Sequence, residues 1–330
     1  MTRASLRDNV LVYGGYTSFF MFAFVVSAYL TFPYDRLRDF ISTKVAESSG
    51  PDPMTLSIGE LTPSWLTGVK LEDVTLQRPA ATPDAQPTSL HFDKVSARVS
   101  LLSLLLGSQK LSVGAEVGDG TIEAKLEQDA ESQHVEAELT DVDLQKLGIG
   151  GYVGVPLKGK ATGTATLTLA QDPLKSAGEV KLEVAGLHVG DGKAKIKAPG
   201  MPSGLTLDEV DAGKLQLELH AQDGNAELTR FYASGKDLKV EGSGNLRIAI
   251  PTRLSRLDVI LELKFSDAYK NKSDRTKALF EILGMQSEWR RALGPDGALR
   301  LHVGGTLGAL RAAPSSVGPG KAGGKAKGKR

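Results

Sequence analysis

TIEAKLE (Thr121–Glu127) and QHVEAEL (Gln133–Leu139) decide the fold. In the first, Ile122, Ala124 and Leu126 alternate with Thr121, Glu123, Lys125 and Glu127; in the second, Val135, Ala137 and Leu139 alternate with His134, Glu136 and Glu138. Successive side chains of a strand point to opposite faces, so a period of two makes each segment a strand with one apolar and one wet face. Further along, Val180, Leu182 and Val184 alternate with Lys181 and Glu183, and Leu215, Leu217 and Leu219 with Lys214, Gln216, Glu218 and His220. Val259, Leu261, Leu263 and Phe265 do so with Asp258, Ile260, Glu262 and Lys264. Asp119-Gly120, Asp191-Gly192 and Asp223-Gly224 suit tight hairpin turns, and Gly150-Gly151 and Gly242-Ser243-Gly244 mark other breaks. Residues 51–311 therefore read as an antiparallel, β-rich body.

Within that body, Pro79–Pro87 is a surface loop, and Asp143–Leu147 has room for one helical turn. A helix is expected over Ser273–Leu293, with Gly284 splitting it, before strand returns at Ala298–Leu307. Gly107 follows the apolar run Val99–Leu106, which is too short to span a bilayer; glycine there permits φ > 0 before the chain pairs back.

Ahead of the body, Val10 to Phe32 contains no charged side chain. As a helix it would be about 34 Å long, enough for a ~30 Å hydrocarbon core. Tyr13, Tyr16, Tyr29 and Tyr34 sit toward its ends, where amphipathic rings favour the headgroup level. Val26 and Ala28 would suit a signal-peptidase site, but the apolar stretch exceeds the ~7–15 residues of a signal core, which favours an uncleaved anchor. Arg3 and Arg7 before the span are matched by Arg36, Arg38 and Lys44 after it, so flanking charge does not fix orientation. Residues 1–9 form a short leading tail. Residues 33–50 read as an amphipathic helix, with Leu37, Phe40, Ile41 and Val45 on one face, lying on the membrane or capping the body.

The 330 residues carry 40 Lys+Arg and 39 Asp+Glu. Residues 312–330 hold +5 and residues 1–9 hold +1, so with a total of +1 the intervening part carries −5. The basic, Gly/Pro/Ala-rich tail buries too little apolar surface to fold; it either solubilises or is drawn to anionic surfaces. Ten of the 19 aromatics lie in the first 40 residues, leaving no stacking platform for nucleic acid, which is not an expected partner. Cysteine is absent, which removes disulfides, thiol catalysis and zinc ribbons.

Other chemistry has no anchor. Gly154 to Lys160 has the spacing of a phosphate loop, but Ala161 stands where Ser or Thr would hold magnesium, and the strand-like ATGTATLTL follows. His91, His134, His188, His220 and His302 occur singly, without metal-ligand spacing, and there is no G-x-S-x-G elbow. No catalytic residue, metal ligand or cofactor site is assigned, and no enzyme activity is expected.

Three stretches carry a family resemblance. FPYDRLRDFI (Phe32–Ile41), LTPSWLTGVKLEDVTL (Leu61–Leu76) and FDKVSARVSLLSLLLGSQKLSVGAEVGDGTIEAKL (Phe92–Leu126), with Val155-Pro156-Leu157-x-Gly159 after them, resemble the type II secretion system protein N (GspN) family and the wider AsmA-like envelope proteins. The likeness covers roughly residues 10–310; the basic tail has no counterpart, and the family supplies no catalytic residues. It implies a bacterial inner-membrane protein, single-pass, with its β domain in the periplasm, as a non-enzymatic accessory component of the type II secretion system. Membrane lipids and other subunits of that system would be its partners. The alternative is an AsmA-like protein with an elongated, curved sheet whose apolar groove binds or transfers lipid. Either the sheet folds over itself as a sandwich or it leaves a trough, which Leu215, Leu217 and Leu219 would line.

Overall fold

The computed structural model describes residues 31–48, 54–64, 67–78, 88–100, 107–129, 131–153, 155–193, 195–198, 201–206, 208–250 and 252–316, with Ser103 and single positions between 16 and 27. Its strands are β1 (Thr55–Ser64), β2 (Gly68–Arg78), β3 (Thr88–Val99), β4 (Gln109–Val117), β5 (Gly120–Gln128), β6 (Ser132–Asp143), β7 (Leu157–Ala170) and β8 (Ala177–Val189). They continue with β9 (Lys195–Ala198), β10 (Met201–Thr206), β11 (Val210–Gln222), β12 (Asn225–Ser234), β13 (Leu238–Arg247), β14 (Arg256–Phe265), β15 (Leu299–Thr306) and β16 (Ala309–Pro314). Fourteen of them make one sheet in the order β1 to β8 then β11 to β16; β9 and β10 pair apart from it. Every neighbouring pair is antiparallel, as expected of strands joined by short turns. The molecule is mainly β.

The expected segments lie in β5, β6, β8, β11 and β14. At Asp223-Gly224 both residues have positive φ, 52° and 74°, the backbone of a type I′ hairpin turn. Three local readings need correction. The turn before β5 is Gly118-Asp119, with Gly118 at φ 60°. Gly120 is already strand, paired with Val117, and its being glycine follows from the Asp141 carbonyl oxygen, which a Cβ would meet at 2.5 Å. Gly242-Ser243-Gly244 does not break the chain but lies inside β13, paired with Leu261, Ile260 and Val259. A Cβ on Gly244 would come 2.1 Å from the Asp258 carbonyl oxygen, so close strand approach explains that glycine. Gly150-Gly151 opens a helical turn, and β16 continues to Pro314, past the expected end of the body at 311.

The helices are α1 (Tyr34–Ser48), α2 (Leu144–Leu147), α3 (Gly150–Val153), α4 (Asp267–Lys270), α5 (Asp274–Met285) and α6 (Ser287–Ala292). In α1, Ile41 packs against the buried Ile58, Leu71 and Val74 of β1 and β2, while Phe40 stays exposed. The Asp143 carboxylate caps α2, accepting from the Gln145 and Lys146 amides at 2.9 and 3.1 Å. Helices α4 to α6 fill the connection from β14 to β15. The expected split comes at Gln286, two residues beyond Gly284. No helix among the described residues is long and apolar enough to cross a membrane. The expected span Val10–Phe32 lies outside the described residues except for Phe32 and single positions, and the Pro79–Pro87 loop and residues beyond 316 lie outside them too.

Candidate functional site

The registers align the apolar positions of the strands into rows that run across the sheet. One row joins Leu61, Leu71, Val95, Ala115, Ile122, Leu139, Gly163, Leu182, Leu217 and Phe231. It goes on to Gly242, Leu261, Leu301 and Pro314, reaching the far edge. Gly242 keeps the row level, since a Cβ there would press on Phe231 and Leu261 at 2.9 and 2.8 Å. At ~4.8 Å per strand, the row is roughly 60 Å long. A second row, two residues along each strand, passes through Val69, Ala97, Val113, Ala124, Ala137, Ala165, Val180, Leu219 and Leu228. A third contains Val99, Leu111, Leu126, Val135, Leu167, Gly178, Ala221, Ala226, Leu246, Leu257 and Leu310.

A fourth row differs in being covered. Val142, Ala161, Val184, Leu215, Ala233, Val240, Leu263 and Leu299 follow one another from β6 to β15. Leu144 and Leu147 of α2, Tyr269 of α4 and Phe280 of α5 belong to the same packed cluster. The row enters this cluster because β6 carries a bulge: its register shifts between Leu139 and Val142, with Asp141 at φ 50°. Tyr269, wholly buried, stacks against Phe265 with ring centroids 5.6 Å apart and donates its hydroxyl to the Asp208 carbonyl at 2.8 Å. Burial, then Asp208 and Asp237, pushes that hydroxyl's pKa well above the usual range, so it stays a donor. The hydroxyls of Ser273 and Thr276 donate to the Asp208 carboxylate, which lowers its pKa and fastens the start of α5 to the segment leading into β11.

The expected lining residues therefore divide. Leu215 belongs to the covered row and packs on its cluster, whereas Leu217 and Leu219 fall in the two neighbouring rows. Both are half-buried, flanked by Leu182 and Val180 on one side and Phe231 and Leu228 on the other. No second sheet stacks on these rows among the described residues, since β9 and β10 are the only other strand pair there.

The opposite face is wet and ion-paired. Lys214 meets Glu183 at 2.6 Å, Lys181 meets Glu179 at 2.8 Å and Arg300 meets Glu262 at 2.6 Å. The Lys214 and Lys181 ammonium groups lower the pKa values of Glu183 and Glu179. A depression of about 550 Å³ lies toward the α4 end of this face, with Lys239, Glu241, Glu262, Lys264 and Asp296 on its walls. Lys264–Asp296 at 3.6 Å and Arg300–Glu262 turn much of that charge inward on itself, as on a solvated surface. Gly159 and Lys160 of the phosphate-loop spacing lie inside β7, where Gly159, at φ 138°, marks a register shift against β8 and no helix follows. Among the described residues no three His, Asp or Glu side chains converge as a metal site would.

The described residues define a mainly β protein built on one fourteen-strand antiparallel sheet, with helices packed along one margin. Comparison with protein-family models, with curated proteins and with solved structures finds no match.

Proposed function

We propose that the chain is a non-enzymatic, AsmA-like envelope protein whose apolar face holds the acyl chains of membrane lipids. The observation that carries this reading is the set of three apolar rows on one face of the sheet, which α1 touches at β1 and β2 and on which no second sheet stacks among the described residues. Soluble monomers rarely leave an apolar patch of more than a few hundred Å² without a partner for it. The middle row, with Ala97, Ala124, Ala137 and Ala165, is slimmer than the Leu-rich rows on either side. Adjacent rows are about 6.6 Å apart along the strands, so these rows bound a furrow of acyl-chain width. Each methylene laid there gains about 0.8 kcal/mol on leaving water. In this reading the sheet is elongated and curved, residues 10–32 anchor it in the bacterial inner membrane, and the β body lies in the periplasm.

A second reading, an accessory role in the type II secretion system, is favoured by the resemblance of Phe32–Ile41 and Phe92–Leu126. One experiment addresses both. The full-length chain is extracted in mild detergent, and its lipids and co-purifying proteins are measured by mass spectrometry. Stoichiometric phospholipid that falls severalfold in Leu217→Asp/Leu219→Asp supports the groove, and equal lipid in wild type and variant refutes it. Co-purified secretion subunits support the second role, and their absence from cells that are actively secreting counts against it.

A further inference from the structure

At one corner of the sheet, large apolar side chains are held out into solvent. Ile250 and Leu254, in the connection from β13 to β14, are 53% and 54% exposed, and Leu307 and Leu310, at the β15–β16 turn, are 44% and 47% exposed. A fixed backbone presents them. The Ile248 amide donates to the Gly224 carbonyl at 2.8 Å, and the Ala249 amide to the hydroxyl of the buried Ser255 at 2.9 Å. The Leu307 amide donates to the Ser255 carbonyl at 2.9 Å and the Gly308 amide to the Arg253 carbonyl at 3.0 Å, so connection and turn form one stitched unit.

The connection and the turn themselves carry only basic charge, with Asp223 on the adjoining β11–β12 turn. Arg247, Arg253, Arg256 and Arg311 are exposed, and residues 246–257 and 299–316 contain no acidic side chain. None of these four arginines forms an ion pair with a described residue, whereas on the wet face Lys94, Lys110, Lys181, Lys214, Arg230 and Arg300 each have a carboxylate partner. The corner lies on the last strands of the sheet, β13 to β16, far in strand order from β1, where α1 joins.

We propose that this corner is a docking surface for an anionic lipid bilayer, with Ile250, Leu254, Leu307 and Leu310 entering the headgroup–acyl boundary and the four guanidinium groups binding lipid phosphates. Aliphatic tips interleaved with unpaired arginines match the two parts of that boundary: apolar chains below, and phosphates that guanidinium forks bind bidentately above. The proposal shares Leu310 with the third row but needs no acyl chain laid along the rows, and its test variants leave Leu310 untouched.

The test mixes the purified full-length chain, kept soluble in a nonionic amphipol, with vesicles of phosphatidylcholine alone or with added phosphatidylglycerol, and measures flotation. Capture by the phosphatidylglycerol vesicles should exceed that by phosphatidylcholine alone. It should fall about tenfold in Leu254→Ser/Leu307→Ser and about thirtyfold in Arg253→Gln/Arg311→Gln, since each basic residue near an anionic surface contributes about one kcal/mol. If the serine variant fails to fold, as judged by circular dichroism, the glutamine variant decides alone, because its residues are exposed polar positions. Unchanged capture in a folded variant overturns the proposal. So does capture that is abolished solely by replacing Lys321, Lys325, Lys327, Lys329 and Arg330 with Gln, which would place the affinity in the tail. A wild-type chain that dimerises through this corner and ignores both vesicle types overturns it as well.

Discussion

Replacing Leu217 by Asp puts a carboxylate in the middle of the longest apolar row, between Leu182 and Phe231. A wholly buried leucine contributes about 1.5–3 kcal/mol, so half-burial forfeits about 1–1.5 kcal/mol. Asp is also a poor strand former, by up to about 1 kcal/mol. With no second sheet over Leu217 among the described residues, the carboxylate keeps its water and adds no desolvation cost. The total of about 2–2.5 kcal/mol lies within the ~5–15 kcal/mol of an ordinary domain and lowers Tm by about 4–10 °C. Val184→Asp is the matched contrast. Val184 is 3% exposed in the covered row, where an unpaired carboxylate costs several kcal/mol and unfolds the body. Thermal unfolding of both variants, followed by circular dichroism, separates the cases. Loss of the β signal of Leu217→Asp at room temperature would refute the open face. Equal, mild effects of the two substitutions would refute the covered row.

Gly107 has φ +82° with nothing within 4 Å of where its Cβ would stand, so Gly107→Val tests backbone strain alone. It should cost about 1–2 kcal/mol, and Gly107→Asn clearly less; a valine variant that melts with the wild type would show the conformation to be dispensable. Asp208 gives a pH signature. Its folded pKa is lowered, so its contribution is complete above the unfolded value near ~3.9 and is lost as pH falls through the lower folded value. From about pH 5 to below about pH 3, the Tm of the wild type should fall more steeply than that of Asp208→Asn, and parallel slopes would exclude the linkage.

Alternation in Thr121–Leu139 and Leu215–Leu219 was enough to identify the strands and their two faces, because facing is a property of single residues. Which part of the apolar face is covered was not legible. That depends on cross-strand register, and the bulge at Asp141 that carries Val142 into the cluster has no sequence mark beyond an Asp tolerant of positive φ. The same limit separates Leu215 from Leu217, which look alike in sequence and differ by one row. Gly242-Ser243-Gly244 has the composition of a turn, yet the glycines answer to Phe231 and Asp258 from neighbouring strands. β16, ALRAAP, lacks alternation because an edge strand with exposed residues meets no packing demand. The role of Tyr269 was hidden for another reason: its hydroxyl partner is a backbone carbonyl 61 positions earlier.

The strand order has a consequence for how the molecule is made. Apart from the β9–β10 hairpin, which is looped out between β8 and β11, every strand of the large sheet joins the one synthesised just before it. Each new hairpin therefore finds its template already laid down, and the loop-closure entropy of each step stays that of a short segment. The sheet itself can grow by accretion from β1 toward β16, as a repeat array does, whereas its covered row is completed only when Tyr269 of α4 and Phe280 of α5 arrive. A chain threaded through a pore amino-terminus first would build its sheet in the order in which it emerges, with the growing edge always the strand most recently made.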